Sequence, residues 1–132
     1  MNFRLRRPRV IEGDEWLTQY GNRRNPIGGR PFKNRPPEPE RINALSLIRG
    51  RLTVEEATPL VRTSRSRPSP GSGVRYTTAA RLKQEGFVAR HTGNRNNPHH
   101  VSVTCLDETH VWTDDDGKRF DSCFEQPTWG EG

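Results

Sequence analysis

Long apolar runs are missing from this 132-residue chain, and so are cysteine pairs and much of the usual hydrophobic content. No stretch approaches the roughly 20 apolar residues that span a bilayer, so no membrane segment is expected. Arg4, Arg6, Arg7 and Arg9 open the sequence with no apolar stretch after them, so no secretory signal is expected either. Only Cys105 and Cys123 are present, and no Asn-x-Ser/Thr acceptor occurs. That excludes a disulfide framework and, with no export signal, makes the cytoplasm the expected compartment. Hydrophobic residues other than Gly make up 29% of the chain, and even with Gly counted the apolar share stays below that of ordinary globular chains. With 12 Gly and 11 Pro, the core must be small, and stability is marginal or depends on a partner.

What the chain has is positive charge, with 22 Lys+Arg against 16 Asp+Glu, distributed unevenly. Residues 1–41 carry ten basic and five acidic side chains, residues 42–104 ten and three, and residues 105–132 two and eight. A basic body thus precedes an acidic C-terminal piece, which either folds back on it or sits at the opposite pole.

Three parts are expected: a flexible basic arm over 1–42, a small α+β domain over 43–126, and a tail over 127–132. The stretch GNRRNPIGGRPFKNRPPEPER has almost nothing apolar to offset backbone entropy, so irregular chain is expected there. Within the arm, the spacing of Trp16, Leu17 and Tyr20 suits one helical turn. Ala44–Ile48 reads as a strand. Thr53 offers an N-cap, with Glu56 completing a capping box, Pro59 limits that helix, and Leu60-Val61 reads as extended. After a Ser/Pro/Gly-rich loop over 62–73, Val74-Arg75-Tyr76 leads to Thr77 or Thr78 as the cap of a second helix ending at Gly86. Phe87–His91 and His100–Cys105 read as strands, the latter with Val101, Val103 and Cys105 on one face. Thr113–Gly117 reads as a turn, and Phe120, Cys123 and Phe124 suit a last helix ended by Pro127. The fold class is therefore α+β, a small sheet with two or three short helices behind a long irregular N-terminal arm.

Four groups of residues carry candidate chemistry. Arg95, His99, His100, Ser102 and Thr104 cluster at and after the NRNNP turn, and His100 shares a face with Ser102 and Thr104 by parity. A histidine beside Arg and Tyr can cut RNA by moving protons while the guanidinium stabilises phosphorane charge; Tyr76, Arg90 and His91 would supply the rest. The plainer reading is a polar start to a strand. His99, Cys105, His110 and Cys123 lack the close ligand pairs of zinc sites, and both cysteines look like small core residues, so no metal and no cofactor are expected. The arginines Arg62, Arg65, Arg67 and Arg75, with Arg49 and Arg51 nearby, form a candidate phosphate-binding surface, set against a merely solvated loop. The basic arm, with Arg6, Arg7, Trp16 and Tyr20, reads as a segment that orders on nucleic acid or another protein.

The segments NALSLIRGRLTVEEA, VRYTTAARLKQEGF and NPHHVSV resemble small uncharacterised accessory proteins of bacterial and phage conflict systems, a likeness that implies no activity. Arg62, Ser102-Val103-Thr104 and Glu125 match in order the Arg, Ser-x-Ser/Thr and Glu that surround the nicotinamide cofactor in ADP-ribosyltransferase toxins, which they resemble in this respect. The expectation is a basic accessory protein that binds nucleic acid or an acidic protein surface without catalysis. The alternatives are a toxin-like enzyme, either an RNase using His99 or His100 or an ADP-ribosyltransferase, and a structural subunit of a larger bacterial or phage assembly.

Overall fold

The computed structural model describes residues 9–23, 25–33, 40–61, 71–95 and 97–130. Arg6, Arg7, Arg62, Arg65 and Arg67 lie outside them, as does most of the Ser/Pro-rich loop.

Nine strands and three helices are described, in the order β1 (Arg9–Val10), β2 (Trp16–Gly21), β3 (Phe32–Lys33), β4 (Glu40–Arg41), β5 (Ala44–Arg49), α1 (Val54–Val61), β6 (Gly73–Thr78), α2 (Ala79–Gln84), β7 (Phe87–His91), β8 (His100–Cys105), α3 (Asp114–Asp121) and β9 (Thr128–Trp129). Seven strands form one sheet, ordered β1-β7-β8-β5-β2-β6-β9, with every neighbouring pair antiparallel. β3 and β4 pair separately. The architecture is α+β, as expected, and among the described residues no helix is long and apolar enough to cross a membrane.

The main correction concerns the N-terminal segment. Trp16–Gly21 is an interior strand, paired with β5 on one side and along its whole length with β6 on the other, so the expected helical turn is absent. Leu17, Thr18 and Gln19 are all buried. The i, i+4 spacing of Trp16 and Tyr20 equally satisfies a period of two, which places Trp16, Thr18 and Tyr20 on one face. Backbone pairing on both edges decides for the strand. The region read as a tail likewise contributes β9, which pairs Thr128 and Trp129 with Val74 and Gly73.

One face of the sheet carries the main core. Leu17, Leu45, Leu47, Ala89, Val101 and Val103 meet Ala79 and Leu82 of α2 and Phe120 of α3. Phe87, Trp112 and Phe120 form its aromatic centre, with ring centroids 5.1–5.7 Å apart, distances at which edge and offset contacts stabilise. On the opposite face α1 places Val54 and Ala57 over Ile48 and Val74, with Tyr20, Leu52, Leu60 and Tyr76 packed around them.

Helix starts follow the expected chemistry. Thr53 and Glu56 exchange the two hydrogen bonds of a capping box, at 3.0 and 3.1 Å, and the Thr78 hydroxyl accepts from the Arg81 amide. Pro59 does not end α1, which continues through Leu60 and Val61. The proline forfeits its own amide bond, while the stripe Val54, Ala57, Leu60 still binds the helix to the sheet.

The TDDDG segment opens α3 instead of turning. Thr113 caps the helix, Asp116 completes a second capping box, and three aspartates occupy the first turn, where the helix dipole favours negative charge. Gly117 is tolerated because the Gly29 backbone lies against it so closely that a Cβ on either would overlap the other's main chain. α3 ends at Asp121, so Cys123 and Phe124 follow it in a turn; Phe124 still stacks on Phe120 at 4.9 Å.

Candidate functional site

Parity on β8 turns His100, Ser102 and Thr104 to the face opposite the core, where Ser46 of β5 lies across from Ser102. A hydroxyl-lined cluster results. His100 Nδ1 meets Thr92 Oγ1 at 2.6 Å, His100 Nε2 meets Ser46 Oγ at 2.9 Å, and Thr92 Oγ1 meets Ser102 Oγ at 3.0 Å. Burial, with His91 nearby, lowers the His100 pKa and favours the neutral ring. A neutral ring donates from one nitrogen and accepts at the other, so both nitrogens are engaged by hydroxyls.

The other members of the expected group stand apart from that ring. His91 lies opposite Val101, on the core-side face, and contacts Arg49. Arg90 shares the hydroxyl face, but its Nη1 reaches Thr104 Oγ1 at 3.0 Å and Glu108 at 3.1 Å. His99 and Arg95 are exposed, and the Tyr76 hydroxyl donates to the Leu52 carbonyl at 2.6 Å, across β5 and β2 from β8.

Ser102 and Glu125, paired in the ADP-ribosyltransferase likeness, are not brought together. β5, β2 and β6 lie between them, since the Glu125 amide bonds the outer edge of β6 at Tyr76; at 4.7–4.9 Å per strand that is roughly 19 Å of sheet.

Cys105, His110 and Asp116 offer ligand atoms within 4.8 Å of one another, a different set from the His99, Cys105, His110 and Cys123 considered from sequence. Asp116 is already saturated. It accepts from the Thr113 amide (2.8 Å) and hydroxyl (3.0 Å), from His110 (2.8 Å) and from Arg119 (2.6 Å). Burial alone would raise its carboxyl; these hydrogen bonds reverse that and hold it well below the usual carboxylate range. Arg119 supplies the positive charge at this cluster, and burial raises the Cys105 thiol away from the thiolate a metal prefers.

Two residues expected on a binding surface are structural. Arg75 is 6% exposed, bonded to Gln19 at 2.6 Å and to Asp121 at 2.7 Å, with its guanidinium 4.1 Å from the Phe124 ring. It is therefore withdrawn from any phosphate. Tyr20 is half-buried in the packing under α1, with its hydroxyl 3.0 Å from Ser72 Oγ. In both cases the β2–β6 pairing turns the side chain into packing that the local sequence does not reveal.

A feature that sequence reading missed lies at the β2–β6 end of the sheet. Gly50, at φ +100, turns the chain leaving β5 back across the face, a conformation open to glycine and strained for other residues. Thr18 Oγ1 fixes the turn by donating to the Gly50 carbonyl and accepting from the Leu52 amide. Arg51 is thereby set over two rings, 4.5 Å from the Trp16 centroid and 4.1 Å from that of Tyr76, and paired with Glu125 at 3.2 Å. Beside it opens a cleft of about 260 Å³, lined by Trp16, Tyr76, Thr78, Arg81, Phe124 and Glu125 among others. Trp16 is 37% exposed. These residues come from three separate stretches of the chain, around Trp16, around Tyr76 and around Phe124, so no local pattern announced the cleft. Trp16, expected to meet a partner as part of the basic arm, lies here, as do Tyr76 and Glu125, which the sequence suggested for other sites.

The acidic C-terminal piece folds back on the basic body. Asp121 pairs with Arg75, Glu125 with Arg51 and Glu108 with Arg90. Compared with protein-family models, with curated proteins and with solved structures, the chain matches none.

Proposed function

We propose that this chain is an accessory binding protein that docks on nucleic acid and acts by binding rather than by catalysis. The supporting observation is how charge divides along the chain. Residues 1–104 carry 20 Arg/Lys and eight Asp/Glu, a formal +12, whereas residues 105–132 carry two and eight, a formal −6. Arg4, Arg6 and Arg7 precede β1, and Arg62, Arg65 and Arg67 fall between α1 and β6. Among the described residues, Arg49, Arg51, Arg75, Arg90 and Arg119 are each paired with one of the chain's own carboxylates. A surplus of cations gathered into short Arg-rich stretches of sequence suits a polyanionic partner better than it suits solubility.

The test is a salt titration of binding to mixed-sequence DNA and RNA. Affinity is expected to fall steeply with salt, because each neutralised phosphate releases condensed cations. Replacing Arg65 and Arg67 by Ala together is expected to weaken binding to every sequence alike and to flatten the log–log slope by about two units. No binding even at low salt would overturn the reading. An acidic protein surface, with defined stoichiometry and a milder salt response, would then be the better partner.

A further inference from the structure

We infer that the cleft beside Trp16 is a stacking site for one unpaired nucleobase, so that the nucleic acid bound is single-stranded; this rests on the reading above that the ligand is nucleic acid. Size comes first. About 260 Å³ lies below the roughly 300–1,000 Å³ of sites for drug-sized ligands and admits a single ring system. In a duplex both faces of each base are covered by its neighbours, so only an unpaired base offers a face to an aromatic side chain.

The walls then select the kind of ring. Trp16, Tyr76 and Phe124 present aromatic surface. Arg51, held by Glu125, already lies over Trp16 and Tyr76. The attraction of those rings for a cation is thus met from within the chain. A further ammonium or guanidinium gains little, whereas a neutral planar base stacks without competing for that charge. Glu125 and Thr78 offer acceptors to a base N–H at the cleft edge.

Electrostatics supplies the rest. Arg81 lines the cleft and is exposed, with Nη2 donating to the Ser122 carbonyl at 3.0 Å; its remaining donors suit the phosphate next to a stacked base. An aromatic or proline-rich peptide would meet the same rings but brings no anion for Arg81.

The experiment uses the full chain carrying Trp129→Phe. Trp129 is 59% exposed and Trp112 1%, so this leaves Trp16 as the solvent-accessible indole. Oligothymidylate of roughly 12 nucleotides, within the site sizes of single-strand binders, is titrated against a fully paired duplex of equal length. The single strand is expected to quench Trp16 emission and to bind more tightly than the duplex. Trp16→Ala is expected to weaken single-strand binding about 5- to 150-fold, the worth of one stacked base, with the salt slope unchanged, and Trp16→Phe to recover most of the loss. If Trp16→Ala lowers the melting temperature too far to be read, the emission quench and Trp16→Phe still decide. Steep salt dependence with no Trp16 quench, or a duplex bound as tightly as the single strand, overturns the stacking site and leaves the charge-based reading intact. Quenching by the single strand with no effect of the Arg65/Arg67 double substitution sustains the stacking site and removes those arginines from the interface. No binding of either probe at low salt overturns both.

Discussion

One face of the sheet is built in two ways. Over β5, β2 and β6 it carries Ile48, Tyr20, Tyr76 and Val74 and is roofed by α1 and the Gly50–Thr53 turn. Over β7, β8 and the start of β5 it carries Arg90, bonded to Thr104, and His100, Ser102 and Ser46, joined with Thr92 in a hydroxyl network with no described helix above. Both halves alternate with period two, and both share the apolar core on the reverse side. The difference lies in what each half gives up to water. Apolar side chains gain by being covered, at about 25 cal/mol per Å², whereas hydroxyls and a neutral imidazole satisfy one another and stay at the surface with little net gain. The aromatic half is therefore where the cleft forms, and the hydroxyl half is a finished polar surface.

The sharpest way to break this contrast is to remove one side chain from each half. Tyr76→Ala is expected to cost about 3 kcal/mol, the lower end for truncating a large core side chain, since it removes the ring under Arg51 and the bond to the Leu52 carbonyl. Ser102→Ala is expected to stay within about 0.5 kcal/mol, as for surface positions. Denaturant midpoints at constant m-value read both, and equal losses would erase the distinction.

A smaller effect probes the roof. Thr53→Ala removes the cap hydroxyl that accepts from the Glu56 amide and is expected to cost about 1 kcal/mol. Hydrogen exchange should show faster opening of α1 while β8 amides keep their protection. Equal acceleration in β8 would mean that the two halves open as one unit.

The smallest expected effect belongs to the hydroxyl half. Burial and the neighbouring His91 lower the His100 pKa from its ordinary 6.5. Below that value the unfolded chain binds a proton more readily than the folded one, so stability rises with pH up to about 6.5 and the increment is complete above it. His100→Gln lacks that increment, so the unfolding free energy of the parent is expected to rise relative to that of the variant as pH increases from 5 to 8. A parent that gains stability on acidification relative to the variant would contradict the neutral, hydroxyl-bound ring.

How much could be read without the fold depends on how far apart the deciding groups lie. The capping box of Thr53 and Glu56, the cap at Thr78, the turn at Gly86 (φ +84) and the strands Phe87–His91 and His100–Cys105 each arise from a signal within a few residues, and each is in place. The inward set Val101, Val103 and Cys105 also follows from strict alternation. Trp16–Tyr20 misled because the same spacing fits a helical turn and a strand face, and only pairing with β5 and β6 chooses. Asp114–Gly117 misled because turn-forming residues also start helices, and the approach of Gly29 that makes Gly117 useful comes from far away in sequence.

By itself, then, the sequence determined the α+β class, the local helix starts, the two best strands and a surplus of positive charge concentrated in a few Arg-rich stretches. Those properties are set by neighbours along the chain or by composition. Tertiary structure alone decided that Arg75 is buried against Asp121 and Phe124, that the acidic C-terminal piece folds back, and that Trp16, Arg51, Tyr76 and Glu125 meet at one cleft. The pairs made by Arg75 and Arg51 and the cleft require β2, β5 and β6 to be laid side by side, and strand pairing at long range depends on complementary burial that no local window contains.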